Sequence, residues 1–210
     1  MRSAEIAIVS NTTPSEKKKV IFKRISFKPL NENNWKDLEE LFGLRGACGG
    51  CWCMYWRLKR SEYEKNKGAG NKGKMKQLVK QEMLNGVLMY LGREVAGWCS
   101  FGPRESFPLL ENSRVLAAVD DQPVWSIICF FMAKEFRRQG LSVPFLKYVM
   151  SYCKNKGAKI IEAYPIHADS KDYPVVFAHV GFHSSFKKVG FKEVVRRSLT
   201  RPVMRFVLTD

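Results

Sequence analysis

The chain is predicted to fold as a single domain of the α/β class, built on one mixed β-sheet. Its 210 residues, of which 45% are apolar, are enough to bury a hydrophobic core without disulfides or a metal. Strand-like and helix-like segments follow one another in the order β-α-α-β-β-β-α-β-α-β-β, without an internal repeat. The aromatic content of 12% excludes a disordered chain.

The N-terminal segment is predicted to be a tail followed by one domain. Residues 1–19 lack sustained periodicity and end in three lysines, so we expect a flexible tail before a domain over residues 20–210. Apolar residues alternate over Val20–Phe27 and predict a first strand. An amphipathic helix ending at Gly43 follows, with an apolar face made of Trp35, Leu38, Leu41 and Phe42.

The middle of the chain is predicted to contain a helix and a β-hairpin. Residues 65–74 are rich in Gly, Lys and Asn and are typical of a loop. Helical spacing from Lys74 to Asn85 predicts a helix after that loop. Val87–Leu91 and Glu94–Phe101 flank Gly92-Arg93, which indicates a hairpin.

A buried strand and a following helix are predicted in the C-terminal half. The run Val124–Met132 is aromatic-rich and apolar apart from Ser126, which is typical of a central strand buried on both faces. A basic turn, Arg137–Ser142, leads into a helical pattern closed by Gly157. The remaining predicted elements are a strand over Lys159–Tyr164, a short helix over Phe182–Val189 and strands over Phe191–Arg196 and Val203–Leu208.

The basic turn is a candidate anion site. Backbone N–H groups at a helix start, reinforced by the helix dipole, bind phosphate groups. Gly140 lets the backbone approach a phosphate closely, and Ser142 is too small to block it. Arg137 and Arg138 add charge and Gln139 adds donors. The turn matches neither a Walker loop nor the three-glycine dinucleotide fingerprint; the alternative is a capped loop with exposed arginines.

Together with its flanking strand and helix, this turn resembles motif A of the GNAT superfamily of N-acetyltransferases, whose loop reads Arg/Gln-x-x-Gly-x-Gly/Ala. Arg137, Gly140 and Ser142 occupy those positions, with serine replacing Gly/Ala. The resemblance covers Val20 to Leu208 in topology and is sharpest from Pro123 to Phe191. It implies a single GNAT-like α/β (α+β) domain with a mostly antiparallel sheet, helices on both faces and a splay between two central strands.

The resemblance also implies acetyl-CoA as co-substrate and a small-molecule or peptide amine as acceptor. The loop amides would hold the pyrophosphate, and the end of the preceding strand would pair with the pantetheine arm. The amine would attack the thioester directly, without an acyl-enzyme. The residues predicted to bind the co-substrate are Phe130, Phe131, Met132, Arg137, Arg138, Gln139, Gly140, Leu141 and Ser142.

The catalytic acid of the resembled family is missing from its usual position. That acid is a Tyr four residues before a Gly-Phe pair, here Gly190-Phe191, and this sequence has Phe186 there. Phenylalanine cannot donate a proton, so Tyr164 is predicted as the acid. Glu162 is predicted as the base, because it shares a strand face with Tyr164. The alternative for Glu162 is a paired, structural carboxylate.

Cys48-x-x-Cys51-x-Cys53, followed by aromatic residues, is the most unusual local composition. A zinc site needs four ligands and the cluster offers three without a neighbouring histidine, so no metal is predicted. A reactive thiol would need a lowered pKa, and the preferred interpretation is a loop that packs over the sheet. From the GNAT layout, the residues predicted to bind the acceptor are Trp52, Tyr55, Trp56 and Arg104.

The net charge of +16 implies an anionic partner or a lysine-rich solvated surface. Two alternatives therefore stay open: a GNAT fold that binds an acyl-CoA without catalysis, and a basic nucleic-acid-binding module using Lys59–Lys80 with the cysteines as a zinc knuckle. The incomplete ligand set makes nucleic acid the less expected partner. Without a visible signal peptide or an apolar run long enough for a bilayer, we expect a cytoplasmic protein without a membrane partner; its oligomeric state is left open.

Overall fold

The computed structural model describes residues 24–167 and 180–209, which contain one seven-stranded sheet. Its strands lie in the order β1-β2-β3-β4-β5-β7-β6. Only β4 and β5 run parallel, and every other neighbouring pair is antiparallel. The predicted mixed, mostly antiparallel sheet is therefore confirmed. The strands are β1 (Ile25–Pro29), β2 (Asn85–Leu91), β3 (Glu94–Pro103), β4 (Trp125–Met132), β5 (Ile160–Ala163), β6 (Lys192–Arg196) and β7 (Pro202–Val207).

Helices cover both faces of the sheet. One apolar cluster packs α5 and α6 against one face, and a second packs α1, α3 and the cysteine-rich loop against the other. Burying two apolar faces in this way is the usual solution for a sheet between helical layers. The helices are α1 (Trp35–Phe42), α2 (Arg60–Lys65), α3 (Ala69–Lys80), α4 (Pro108–Glu111), α5 (Ser142–Asn155) and α6 (His183–Lys188).

The structure corrects one prediction in the first half of the chain. Residues 65–74 were expected to form a loop before a helix over Lys74–Asn85, but α3 runs from Ala69 to Lys80. Asn71, Met75 and Val79 lie one turn apart and are at most 5% exposed. Their burial outweighs the low helix propensity of the glycines in this segment.

The predictions for the N-terminus lie mostly outside the described residues. The tail expected over residues 1–19 and the start of the strand expected over Val20–Phe27 cannot be compared with the structure, whereas β1 pairs with β2 from Ile25 to Pro29. Of the described helices, none combines the length and the apolar character needed to span a membrane.

The parallel strands β4 and β5 diverge after a short paired region. Their register ends at the pair Ile127 and Ala163. Beyond it β4 runs on to Met132, paired with β3 along one edge and bridged to Val180 at Phe130 along the other. The register between β3 and β4 also shifts here, so that Ile128 has no partner on β3. Such a bulge bends its strand. The predicted splay between two central strands is therefore present.

Candidate functional site

The turn between β4 and α5 presents a row of backbone N–H groups. Arg138 (φ 61°) and Gly140 (φ 76°) adopt left-handed backbone conformations. Within the described part of the chain, no acceptor bonds the backbone N–H groups of residues 138–143. A Cβ built on Gly140 would meet no atom within 4 Å, so the space beside it is open. The 14-residue helix α5 adds the positive end of its dipole to these donors.

Two side chains of this turn are used to shape it. Nε of Arg137 donates to the carbonyl oxygen of Met132 at 2.8 Å, and Nε2 of Gln139 donates to the carbonyl oxygen of Glu135 at 2.7 Å. Arg138 is exposed. Of the two arginines, Arg138 therefore has the side chain that can turn toward a ligand without giving up a hydrogen bond of the turn.

The free end of β4 exposes backbone groups to the gap between β4 and β5. The N–H of Ala133 donates to Ala96 on β3 at 3.0 Å. Because bonding direction alternates along an antiparallel strand, the backbone groups of Phe130 and Met132 point away from β3. Phe130 forms an isolated parallel bridge with Val180. The segment predicted to pair with the co-substrate therefore faces this gap.

A cavity of about 340 Å³ lies on the α1 face of the sheet, beside the free end of β4. It combines four cysteine sulfurs with aromatic rings, and none of the described residues that line it carries a carboxylate or an imidazole. β4 contributes Cys129 and Phe131, both beyond its last pair with β5. The lining residues are Ala47, Cys48, Cys51, Cys53, Tyr55, Trp56, Tyr63, Cys129, Phe131 and Arg201.

The loop over residues 43–58, here called the cysteine-rich loop, forms the outer wall of the cavity. It was predicted to be irregular and consists of successive turns. Ala47, Trp52 and Cys53 have φ values of 66°, 45° and 54°, a region that non-glycine residues rarely occupy. Such conformations persist where the surrounding structure fixes them, which is common at functional sites.

The aromatic residues predicted to form an acceptor wall are split between the cavity and the core. Tyr55 and Trp56 line the cavity and pack edge to face with ring centres 4.9 Å apart. Trp52 is 4% exposed and packs between Trp35 and Phe42, at 6.1 and 5.4 Å between ring centres. Trp52 thus holds the cysteine-rich loop against α1.

The predicted catalytic pair lies in a buried network next to the end of β5. The Tyr164 hydroxyl donates to Oε2 of Glu162 at 2.7 Å and accepts from Nη1 of Arg104 at 2.8 Å. It also lies 2.8 Å from the Ser126 hydroxyl on β4. On the other side, Nε of Arg205 donates to Oε1 of Glu162 at 2.8 Å. Glu162 and Tyr164 therefore share a strand face, as the alternation predicts.

This network constrains what its members can do. Glu162 is 1% exposed and is held by two guanidinium groups. Burial, followed by the charge of Glu162, raises the pKa of Tyr164 well above its usual range, so the phenol stays neutral. Arg104, Glu162 and Tyr164 are absent from the described lining of the cavity. The assignment of Glu162 as base and Tyr164 as acid stays a prediction.

None of the six cysteines forms a disulfide. Among residues 24–167 and 180–209, no group of three or more His, Cys, Asp or Glu side chains is arranged to hold a metal ion. Cys129, which is far from Cys48, Cys51 and Cys53 in sequence, lies with them in the lining of the cavity. Its spacing of two from Phe131 on a strand puts both side chains on one face, and this signal could have revealed it.

Comparisons with known proteins place the chain in a family. Residues 52–177, more than half of the chain, match the model of the acetyltransferase (GNAT) family. The chain therefore belongs to the GNAT acetyltransferase family. A search of curated protein sequences finds no match.

Solved structures show how widely this fold is shared. One is the PaiA N-acetyltransferase of Thermoplasma acidophilum in complex with coenzyme A, with a TM-score of 0.51 and 13% identity over 88% of this chain and 99% of that one. Ribosomal-protein-S5-alanine acetyltransferase of Vibrio fischeri has a TM-score of 0.53 and 12% identity over 89% of this chain and 94% of that one. The yncA protein of Salmonella typhimurium, solved with its cofactor acetyl-CoA, has a TM-score of 0.53 and 11% identity over 89% of this chain and 95% of that one. At such identities the likeness shows the fold alone.

Proposed function

We propose that the protein is an acetyl-CoA-dependent N-acetyltransferase that moves an acetyl group directly to a primary amine. One observation carries this proposal: an open turn with unpaired N–H groups over residues 138–143 directly follows the part of β4 that β5 leaves unpaired. The turn suits a diphosphate, and the free strand edge suits an extended, amide-containing arm. Fold relatives bound to coenzyme A or acetyl-CoA support the choice of ligand.

Acetyl-CoA supplies an acetyl group activated as a thioester. In this chain the N–H groups of residues 138–143 bind the diphosphate, and exposed Arg138 adds positive charge. The backbone of Met132, beyond the bridge between Phe130 and Val180, orients the arm along the edge of β4. The cavity beside Cys129 and Phe131 admits the amine and excludes water. A group that accepts the proton of the amine completes the requirements of the reaction.

The cavity indicates the size and character of the acceptor. About 340 Å³ lies in the range of small-molecule sites, which are mostly apolar with a few polar groups. Tyr55, Trp56 and Phe131 provide flat apolar walls. We infer that the acceptor is a small amine, or the amine end of a peptide, with an apolar or aromatic group next to the nitrogen.

One observation favours a second candidate, the binding of an acyl-CoA without catalysis. Phe186, at the position of the usual family tyrosine, is fully buried and packs edge to face on Phe130 and Phe191, with ring centres 6.3 and 5.2 Å away. It has no proton to give. Under this candidate the chain binds acetyl-CoA but releases no coenzyme A when amines are added.

The nucleic-acid alternative loses support from the charges of α2 and α3. Lys72, Lys74 and Lys67 form ion pairs of 2.9, 2.7 and 2.5 Å with Glu39, Glu62 and Glu64. Three of the eight basic side chains over Lys59–Lys80 are therefore paired within the protein, which weakens the positive surface that a nucleic acid would need.

Thermal unfolding with acetyl-CoA tests the proposal. A ligand at one hundred times its Kd stabilises the native state by about 2.7 kcal/mol, which raises Tm by roughly 5–10 °C for a chain of this size. The absence of any shift at saturating acetyl-CoA refutes the proposal. Release of free coenzyme A thiol on a panel of primary amines then distinguishes the transferase from the binding protein.

A further inference from the structure

The sulfur of Cys53 lies against a hydrogen-bond donor of β3. Its Sγ lies 3.0 Å from Nε1 of Trp98, and an indole N–H can only donate, so the sulfur accepts. The Cys129 thiol, on the same cavity wall, also favours a lower pKa of Cys53 as a hydrogen-bonding neighbour. Donors aimed at a sulfur stabilise its ionised form.

Arg57 supplies the matching positive charge. Its Nε is buried without a hydrogen-bond partner, Nη2 lies 3.3 Å from the Ser100 hydroxyl and the guanidinium covers the Phe107 ring at 4.7 Å. No carboxylate of the described residues forms an ion pair with it. A buried cation is costly unless a negative charge lies near it, and the nearby Cys53 sulfur provides that charge when ionised.

The titratable groups around Cys53 separate it from its neighbours. Burial alone would raise the pKa of Cys53, but the hydrogen bonds from Cys129 and Trp98 and the charge of Arg57 leave it below its usual value. Burial raises the pKa of Cys51 to about 12 and lowers the pKa of Arg57 to about 10. The other thiols and the phenol near the cluster, which have raised pKa values, are Cys99, Cys129 and Tyr63.

We propose that Cys53, held as a thiolate by Arg57 and Trp98, accepts the proton of the attacking amine. The inference rests on the proposed function. Cys53 lines the cavity beside the end of β4, and the hydrogen bond from Nε1 of Trp98 holds its sulfur. Glu162 has both oxygens engaged in the buried network and lies outside the described lining of the cavity.

In the proposed reaction, Cys53 takes one proton from the amine and later gives the same proton to the leaving sulfur. As the amine nitrogen forms its bond to the acetyl carbon, one N–H proton moves to Sγ of Cys53. The bond between the acetyl carbon and the coenzyme A sulfur breaks, and its electron pair stays on that sulfur. The same proton then passes from Cys53 to the leaving sulfur, which restores the thiolate. This exchange needs neither the family tyrosine replaced by Phe186 nor an external acid.

Alkylation of the intact chain tests the ionisation of Cys53 without any assay of activity. We expect peptide mass spectrometry after brief iodoacetamide treatment to show Cys53 modified with a pH midpoint below about 8.5, the usual thiol value. Arg57→Met should move that midpoint upward while Cys48, on the same cavity, keeps its own. A midpoint for Cys53 at or above the usual value, or no reaction at Cys53, overturns the proposal.

Kinetics of Cys53→Ser test the role of the thiolate. A serine hydroxyl does not ionise near neutral pH, so kcat should fall about 10²–10⁴-fold while the thermal shift with acetyl-CoA is kept. The pH dependence of the residual rate should lose the acidic limb given by the thiolate. Cys153→Ala, which removes a sulfur from α5 on the other face of the sheet and outside the described lining of the cavity, is the matched control and should keep kcat within a few-fold.

The outcomes separate this inference from the proposed function. Activity that survives in Cys53→Ser overturns the role of Cys53 and leaves the transferase standing. An acetyl group found on Cys53 after incubation with acetyl-CoA alone also overturns it, because the sulfur would then be a nucleophile. If the wild-type chain releases no coenzyme A with any amine, the proposed function fails, and the role as proton acceptor fails with it even where alkylation shows a thiolate.

Discussion

Replacing Tyr164 by phenylalanine should destabilise the protein strongly and affect the chemical step weakly. The hydroxyl makes hydrogen bonds with Glu162, Arg104 and Ser126 at 2.7, 2.8 and 2.8 Å. A hydrogen bond to a charged partner contributes about 1.5–3 kcal/mol net. Arg104 and Glu162 remain 3.4 Å apart and still satisfy each other, so we expect a loss of about 2–4 kcal/mol rather than the full sum.

Thermal unfolding and steady-state kinetics measure the two effects of Tyr164→Phe separately. At about 3 °C for each kcal/mol in a chain of this size, Tm should fall by roughly 6–12 °C. Below the new Tm, kcat should stay within about tenfold, since the neutral phenol is outside the described lining of the cavity. Tyr152→Phe is the matched control, because its ring packs on Phe101 without a hydrogen bond from its hydroxyl to a described residue, and it should shift Tm by less than about 2 °C.

One result would refute this reasoning. If Tyr164→Phe keeps its Tm but loses about 10²-fold or more in kcat, the hydroxyl acts on the reacting atoms. The sequence-based assignment of Tyr164 as the acid would then be correct, and the buried network would be a device that presents it.

Three further predictions test the turn, the cavity wall and the surface carboxylates. Gly140→Ala and Gly157→Ala both place a Cβ at a left-handed position with open space around it, so each should lower the free energy of unfolding by about 1 kcal/mol. Only Gly140→Ala should also reduce the rise in Tm that acetyl-CoA causes. Equal rises in the two variants would contradict a ligand at the turn. Trp56→Ala should raise the KM for the amine with little change in Tm, whereas Trp52→Ala should lower the free energy of unfolding by about 3–5 kcal/mol. If both variants raise KM at unchanged stability, Trp52 is part of the acceptor wall. Hydrogen bonds from Arg205 and Arg196 lower the pKa values of Asp120 and Glu193. The stability that these two carboxylates contribute is therefore complete above their unfolded pKa values of about 4 and is lost as the pH falls through the lower, folded values. The urea concentration at the unfolding midpoint should drop on acidification, and it should drop less in Asp120→Asn.

The central part of the fold could be predicted because its sequence signals are local. The apolar run Val124–Met132 coincides with β4 apart from its first residue, and α5 begins directly after the glycine turn. Hairpin signals at Gly92-Arg93 gave β2 and β3 with their connection. In each case residues that are neighbours in the sequence signal the structure, either by an apolar run that is buried on both faces or by a turn that only certain residues allow.

The parts that could not be predicted depend on distant contacts. α3 begins in a glycine- and lysine-rich segment because Asn71 donates to the carbonyl oxygen of Gly50 at 3.2 Å and Met75 is fully buried. The environment of Cys53 combines Arg57 from its own loop with Trp98 from β3 and Cys129 from β4, a meeting that spacing along the chain does not encode. Trp52 was predicted to form an aromatic wall with Tyr55 and Trp56, and its ring packs between Trp35 and Phe42; its part in binding the acceptor stays a prediction.

The indole of Trp98 connects the cavity to a strand that does not line it. A Cβ added to Gly86 on β2 would overlap this ring, and the same ring donates to Cys53 on the far side. A methyl group at position 86 would therefore displace the indole and change the distance from its N–H to the sulfur. Because the proposed role of Cys53 depends on the hydrogen bond from Trp98, a substitution of Gly86 on β2 would change the pKa of the Cys53 thiol without altering any residue that lines the cavity.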